Sequence, residues 1–164
     1  MQNRGCAIDA VGMQAHFSIS RANEPAYISG LAENLARYEE IGISVHISEF
    51  DLNDGGFDTF YKETGEWDDE LQAQQDSGFV NVLRTCVEAA SCDVFQFCSL
   101  TDKWGCAMRE GMPWFDDYRP KPAVSLMIDA VLVRCGTAGE RVERKDFFQN
   151  ATVKKDRTFF RRFD

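Results

Sequence analysis

Three segments of alternating or continuous apolar residues are each followed by a stretch with apolar spacings of three and four. The clearest strand is Ile43–Leu52, where Ile43, Val45 and Ile47 share one parity and Glu49 and Asp51 continue it. On a strand all five side chains point to one face. Such a strand either delivers two carboxylates to a site at its carboxyl end or simply exits into an acidic loop. Residues 8–17 read as an earlier strand with Gly12, Gln14 and His16 on one face, and Gly12 leaves room there for close approach. Between the two, Asn23-Glu24-Pro25 signals a helix start. Ile28, Leu31, Leu35 and Tyr38 form its stripe, and Gly42 ends it.

Residues 53–68 read as a long loop with Phe57, Phe60, Tyr61 and Trp67, suited to sugar stacking or to packing. A second helix from about Glu70 carries the stripe Phe79, Val82, Leu83, Cys86, Val87 and Ala90. A third strand, Asp93–Thr101, precedes a loop holding Lys103, Trp104, Met108, Arg109 and Trp114, and a last helix runs from Ala123 to Val133. The order strand, helix, strand, helix, strand, helix predicts an α/β fold with a parallel sheet and right-handed crossovers. Three such units leave both sheet edges bare.

Charge adds a boundary. The chain of 164 residues has a net charge of −9, which argues against nucleic acid as a partner. Residues 134–164 hold nine Lys/Arg and five Asp/Glu, a net of +4, on a body of net −13. The expected division is therefore 1–133 as the domain and 134–164 as a basic tail. No apolar run is long enough for a membrane span, and no signal peptide is visible at the start. The six cysteines form no Cys-x-x-Cys pair and there are two histidines, so no metal site is expected. An even cysteine count permits disulfides and an oxidising compartment.

The strand ends, taken together, resemble one family. Ile8-Asp9-Ala10-Val11-Gly12-Met13-Gln14-Ala15-His16-Phe17 resembles the sixth strand of glycoside hydrolase family 10, the retaining endo-β-1,4-xylanases. His46-Ile47-Ser48-Glu49-Phe50-Asp51-Leu52 resembles its seventh strand, and Leu100-Thr101-Asp102-Lys103 the end of its eighth. Phe115-Asp116-Asp117-Tyr118-Arg119-Pro120-Lys121-Pro122-Ala123 resembles the stretch opening the last helix. Cys86 and Cys92 resemble a Cys-x5-Cys pair of many members. The likeness covers roughly residues 5–133. It implies a partial TIM (β/α)8 barrel, equivalent to strands six to eight with their helices, plus a C-terminal tail.

By this resemblance Glu49 is the nucleophile, His16 hydrogen-bonds it, and Asp51 orients the histidine. Gln14, Lys103 and Trp104 fall on the substrate side, and Cys86 and Cys92 are expected to be disulfide-linked. The implied substrate is a xylan-type polysaccharide, with no cofactor. Retaining hydrolysis needs a second carboxyl about 5–5.5 Å from the nucleophile. In the family it lies on strand four, which has no counterpart here, so the missing N-terminal half of the barrel is an expected partner and the isolated chain is expected to be inactive. The parent protein is expected to be secreted.

Two positions depart from the family. The usual tryptophans in and after strand eight are replaced by Cys98 and Cys106, a pair that a disulfide is able to join. Trp104, two residues before Cys106, replaces part of the lost stacking surface. These departures motivate an alternative, a non-catalytic barrel relic that binds carbohydrate or a protein partner.

Overall fold

Strand β3, Ser44–Asn53, is the central strand of the described sheet. The computed structural model describes residues 7–54, 68–104 and 110–136. The chain divides into two units, Met1–Val131 and Leu132–Asp164, and the core belongs to the first. The chain runs β1 (Ala10–Met13), β2 (His16–Ser18), α1 (Ile19–Ala22), α2 (Pro25–Glu40), β3, α3 (Asp69–Glu88), β4 (Cys92–Phe97) and α4 (Pro122–Gly136). The aromatics Phe57, Phe60, Tyr61 and Trp67, the loop residues Met108 and Arg109, Cys106, and the tail beyond Gly136 lie outside the described residues.

The sheet is parallel. Residues Val45–Ile47 of β3 pair with β1 and also with β4, so those two strands occupy its opposite edges. β2 continues along the β1 edge, with His16 beside Asp51 and Ser18 beside Asn53. The expected single strand over 8–17 is therefore broken in two. Between the pairs Met13–Ile47 and His16–Asp51, two residues of the first strand face three of β3, which is a bulge. Ala15 takes up the mismatch at φ 65°. No described backbone approaches Gly12 closely: a Cβ there would meet only Ser48 Oγ, at 3.9 Å.

The helices form where apolar spacing and caps coincide. α2 starts with Pro25 at its first position and is followed by Gly42 at φ 67°. Asp68 caps α3 by accepting the Leu71 N–H at 2.8 Å. Of its expected stripe, Phe79, Val82, Leu83 and Cys86 are buried, while Ala90 lies past the helix end. Gly78 lets α3 press on the sheet, since a Cβ there would stand 2.6 Å from Leu52 Cδ2 and 3.0 Å from Ala22 Cβ. Phe50 is fully buried and meets Phe79, Phe95 and Phe97 at centroid distances of 5.5, 5.1 and 6.0 Å. β4 ends at Phe97, short of the expected Thr101; that residue makes only an isolated bridge to Trp114. Cys86 and Cys92 are disulfide-linked, tying the end of α3 to the start of β4. No described helix is long and apolar enough to cross a membrane.

Candidate active site

The bulge places Glu49 at the carboxyl end of the sheet. Its N–H donates to the Gln14 carbonyl at 3.2 Å, which keeps the two strands joined through the irregularity. The left-handed backbone at Ala15 turns His16 toward β3. An L-residue holds that conformation at a cost of about 1–3 kcal/mol, and such residues cluster at functional sites.

One imidazole joins both carboxylates. His16 Nδ1 lies 2.7 Å from Asp51 Oδ2, and His16 Nε2 lies 3.6 Å from Glu49 Oε2. The environments of the acids differ. The Asp51 side chain is fully buried, whereas that of Glu49 is 44% exposed. Burial pushes the Asp51 carboxyl above its ordinary value, and the hydrogen bond and charge of His16 pull against that rise. Asn53 Nδ2 adds a donor to Asp51 Oδ1 at 3.5 Å. The Nδ1–Asp51 contact is a hydrogen bond, whereas Nε2 and Glu49 are at ion-pair distance. Glu49 is thus an accessible acid facing a ring nitrogen whose imidazole is held in place by buried Asp51.

A buried ionic network supports the end of β3. Lys121, only 1% exposed, places Nζ 3.0 Å from Asp102 Oδ2. It also donates to Gln75 Oε1 at 3.1 Å and to the Glu110 carbonyl at 2.6 Å. Gln75 Nε2 donates to the Leu52 carbonyl at 2.7 Å, one residue past Asp51. Asp102 accepts the Met112 N–H at 2.9 Å, and Asp76 accepts the Ala123 N–H at 3.0 Å, capping α4. Burial raises the carboxyls of Asp76 and Asp102 and lowers the Lys121 ammonium, with their mutual charges opposing each shift. Sequence reasoning missed Gln75, Asp76 and Lys121. The only sign was Lys121 between two prolines in the stretch that opens the last helix.

The remaining expected site residues lie around this centre. Gln14 is exposed beside the bulge, immediately before Ala15. Lys103 and Trp104 are exposed in a short 3-10 turn, Asp102–Trp104, beyond the carboxyl end of β4. Trp104 Nε1–H donates to Tyr118 Oη at 2.9 Å, a partner the sequence did not suggest. Cys98 is disulfide-bonded, and its N–H donates to the Phe50 carbonyl at 3.1 Å. Among the described residues no group of three His, Cys, Asp or Glu is arranged to hold a metal ion.

Parallel β/α units that gather acids at the carboxyl ends of their strands define a segment of a (β/α) barrel. Xylanase 10B from Thermotoga maritima superposes on the chain with a TM-score of 0.70 at 17% identity, covering 83% of this chain and 40% of that one. The Thermotoga petrophila xylanase 10B, solved with xylobiose, gives 0.69 at 18% identity, covering 81% and 39%. The family model described as glycosyl hydrolase family 10 matches residues 1–130, and the chain belongs to that family. Endo-1,4-beta-xylanase D of Talaromyces funiculosus is 28% identical over 129 residues, 75% of this chain and 29% of the relative. Endo-1,4-beta-xylanase B of Neocallimastix patriciarum is 26% identical over 131 residues, 79% of this chain and 13% of the relative. The chain thus spans less than a third of the length of either relative.

Proposed function

We propose that the chain is the nucleophile-bearing part of a retaining endo-β-1,4-xylanase, equivalent to barrel strands six to eight with their helices. The observation that carries this reading is the single imidazole shared by Asp51 and Glu49 at the carboxyl end of β3. Glu49 attacks the anomeric carbon of a xylose unit as the glycosidic bond breaks, and a glycosyl ester forms on its carboxylate. The His16 ring, with Nε2 3.6 Å from Glu49 Oε2, orients that carboxyl for the attack. Asp51 fixes the ring through Nδ1. Gln14 contacts the sugar beside Glu49, and Trp104 and Lys103 line the substrate side.

The second carboxyl protonates the departing sugar oxygen and then takes a proton from the attacking water. It is supplied by the N-terminal half of the barrel, the partner of this chain. Among the described residues no strand pairs with the outer side of β1 and β2, which supports that pairing, and beside them a cleft of about 410 Å³ is lined by Met13, Phe17, Tyr27 and Leu31. The parent protein is secreted, which fits a structural disulfide at Cys86–Cys92. A 2-deoxy-2-fluoro aryl xylobioside tests this reading. With a polypeptide carrying the first five barrel units present, it should add one glycosyl group to the peptide containing Glu49, and none in Glu49→Gln. Labelling elsewhere, or undiminished labelling in that variant, counts against it.

A second reading has one observation in its favour. Cys98, disulfide-bonded, stands where the family usually places a tryptophan. A relic that binds carbohydrate or a protein partner without turnover would have lost that stacking wall. It predicts saturable sugar binding unaltered by Glu49→Gln and no labelling in any mixture.

A further inference from the structure

The turn after β4 carries a surface that the hydrolytic chemistry leaves unused. Trp104 is 65% exposed and Tyr118 is 54% exposed, and the indole N–H donation to the Tyr118 hydroxyl holds the two rings together. Tyr118 is presented by a left-handed residue at φ 67°. Its tight turn is closed by Tyr118 N–H to the Phe115 carbonyl at 3.0 Å and Phe115 N–H to the Arg119 carbonyl at 2.9 Å. Neither ring therefore depends on a ligand for its position.

Lys103 lies over both rings, with Nζ 5.3 Å from the Trp104 centroid and 5.7 Å from that of Tyr118. The neighbouring cations are already matched: Arg119 pairs with Asp117, and Lys121 with Asp102. Among the described residues no carboxylate pairs with Lys103. An exposed ammonium resting on two rings gains only about 0.5–1 kcal/mol from them. In a chain of net charge −9, an ammonium paired with no acid among the described residues, beside an exposed indole, fits one ligand chemistry. The apolar face of a pyranose covers the ring, and a carboxylate meets the ammonium.

We propose that Lys103, Trp104 and Tyr118 form a subsite for a sugar that bears a carboxylate, a uronic acid carried on the polysaccharide. This rests on the carbohydrate reading above and adds a charge preference to it. The sugar stacks on Trp104, Tyr118 fixes the indole, and Lys103 leaves the rings to pair with the carboxylate.

The test is titration of the whole chain with xylotetraose and with glucuronic-acid-substituted xylotriose, followed by the indole N–H resonance of Trp104, assigned with Trp104→Phe. An exposed ion pair contributes up to about 1 kcal/mol, so the acidic sugar should bind about two- to fivefold more tightly at low salt. About 0.5 M salt should compress that preference. Lys103→Gln should abolish the preference, bringing the two affinities together, and Trp104→Ala should weaken both. Equal affinities in the unmodified chain, a preference that survives Lys103→Gln, or no response of Trp104 to either sugar overturns the subsite. Loss of the preference with neutral binding intact leaves the hydrolase reading standing. Lys103-dependent binding of the acidic sugar alone supports the subsite and counts against the neutral xylan backbone as its ligand.

Discussion

His16 Nδ1 lies 2.7 Å from a fully buried carboxylate, Asp51, and the same ring turns its other nitrogen to Glu49. The pair is asymmetric. Asp51→Asn preserves the shape and an oxygen acceptor, and should cost about 1 kcal/mol. His16→Ala strands a buried acid, and should cost about 3–5 kcal/mol at neutral pH. Urea unfolding of both variants checks the order, and equal costs would mean that the imidazole does little to hold Asp51.

Lys121 should behave as a buried cation. Lys121→Met leaves Asp102 without its ion partner, and a loss of about 3–5 kcal/mol is expected. Adding Asp102→Asn to that variant should recover most of the loss, because both charges are then gone while an oxygen remains to accept the Met112 N–H. A double-mutant cycle by chemical denaturation measures this coupling. Simple additivity of the two losses would show that the network does not act as a unit.

Gly78 is fixed by packing rather than by backbone conformation. A methyl group there collides with Leu52 Cδ2 at 2.6 Å. Gly78→Ala should therefore destabilise by about 1–3 kcal/mol despite its better helix propensity. A rise in the thermal midpoint would contradict that contact.

These relationships were unequally legible in the sequence. The period-two pattern of β3 and its two terminal acids were readable, as was the Phe79–Cys86 stripe of α3, because burial there follows local periodicity. The break at Gln14-Ala15 was not, since alanine carries no sign of a left-handed backbone; the mismatch exists only once β2 pairs with β3. Lys121 looked like an ordinary charged residue between prolines. Its burial depends on Asp102 and Gln75, which arrive from separate elements. Ala90 was counted into a helix that ends before it, and β4 stops where Cys98 turns to the Phe50 carbonyl.

Asp76 gives a pH test. Its folded carboxyl is raised above the ordinary 3.8 by burial. The folded state therefore takes up the proton first as pH falls, and stability through this group rises between the raised value and 3.8. Asp76→Asn removes that contribution while keeping an acceptor for Ala123 N–H. The stability difference, unmodified chain minus variant, should grow as pH is lowered through that window and level off below it. Urea midpoints measured across the range check the sign, and a difference that shrinks on acidification would reverse it.

The central claim is that Glu49 is a nucleophile whose acid partner lies outside this chain. Its most direct test is hydrolysis of an aryl xylobioside by the purified chain, alone and with a polypeptide carrying the first five barrel units. The account predicts no turnover alone, and turnover on mixing that disappears in Glu49→Gln. Turnover by the chain alone that vanishes in Glu49→Gln would contradict it, because the acid would then have to come from this chain.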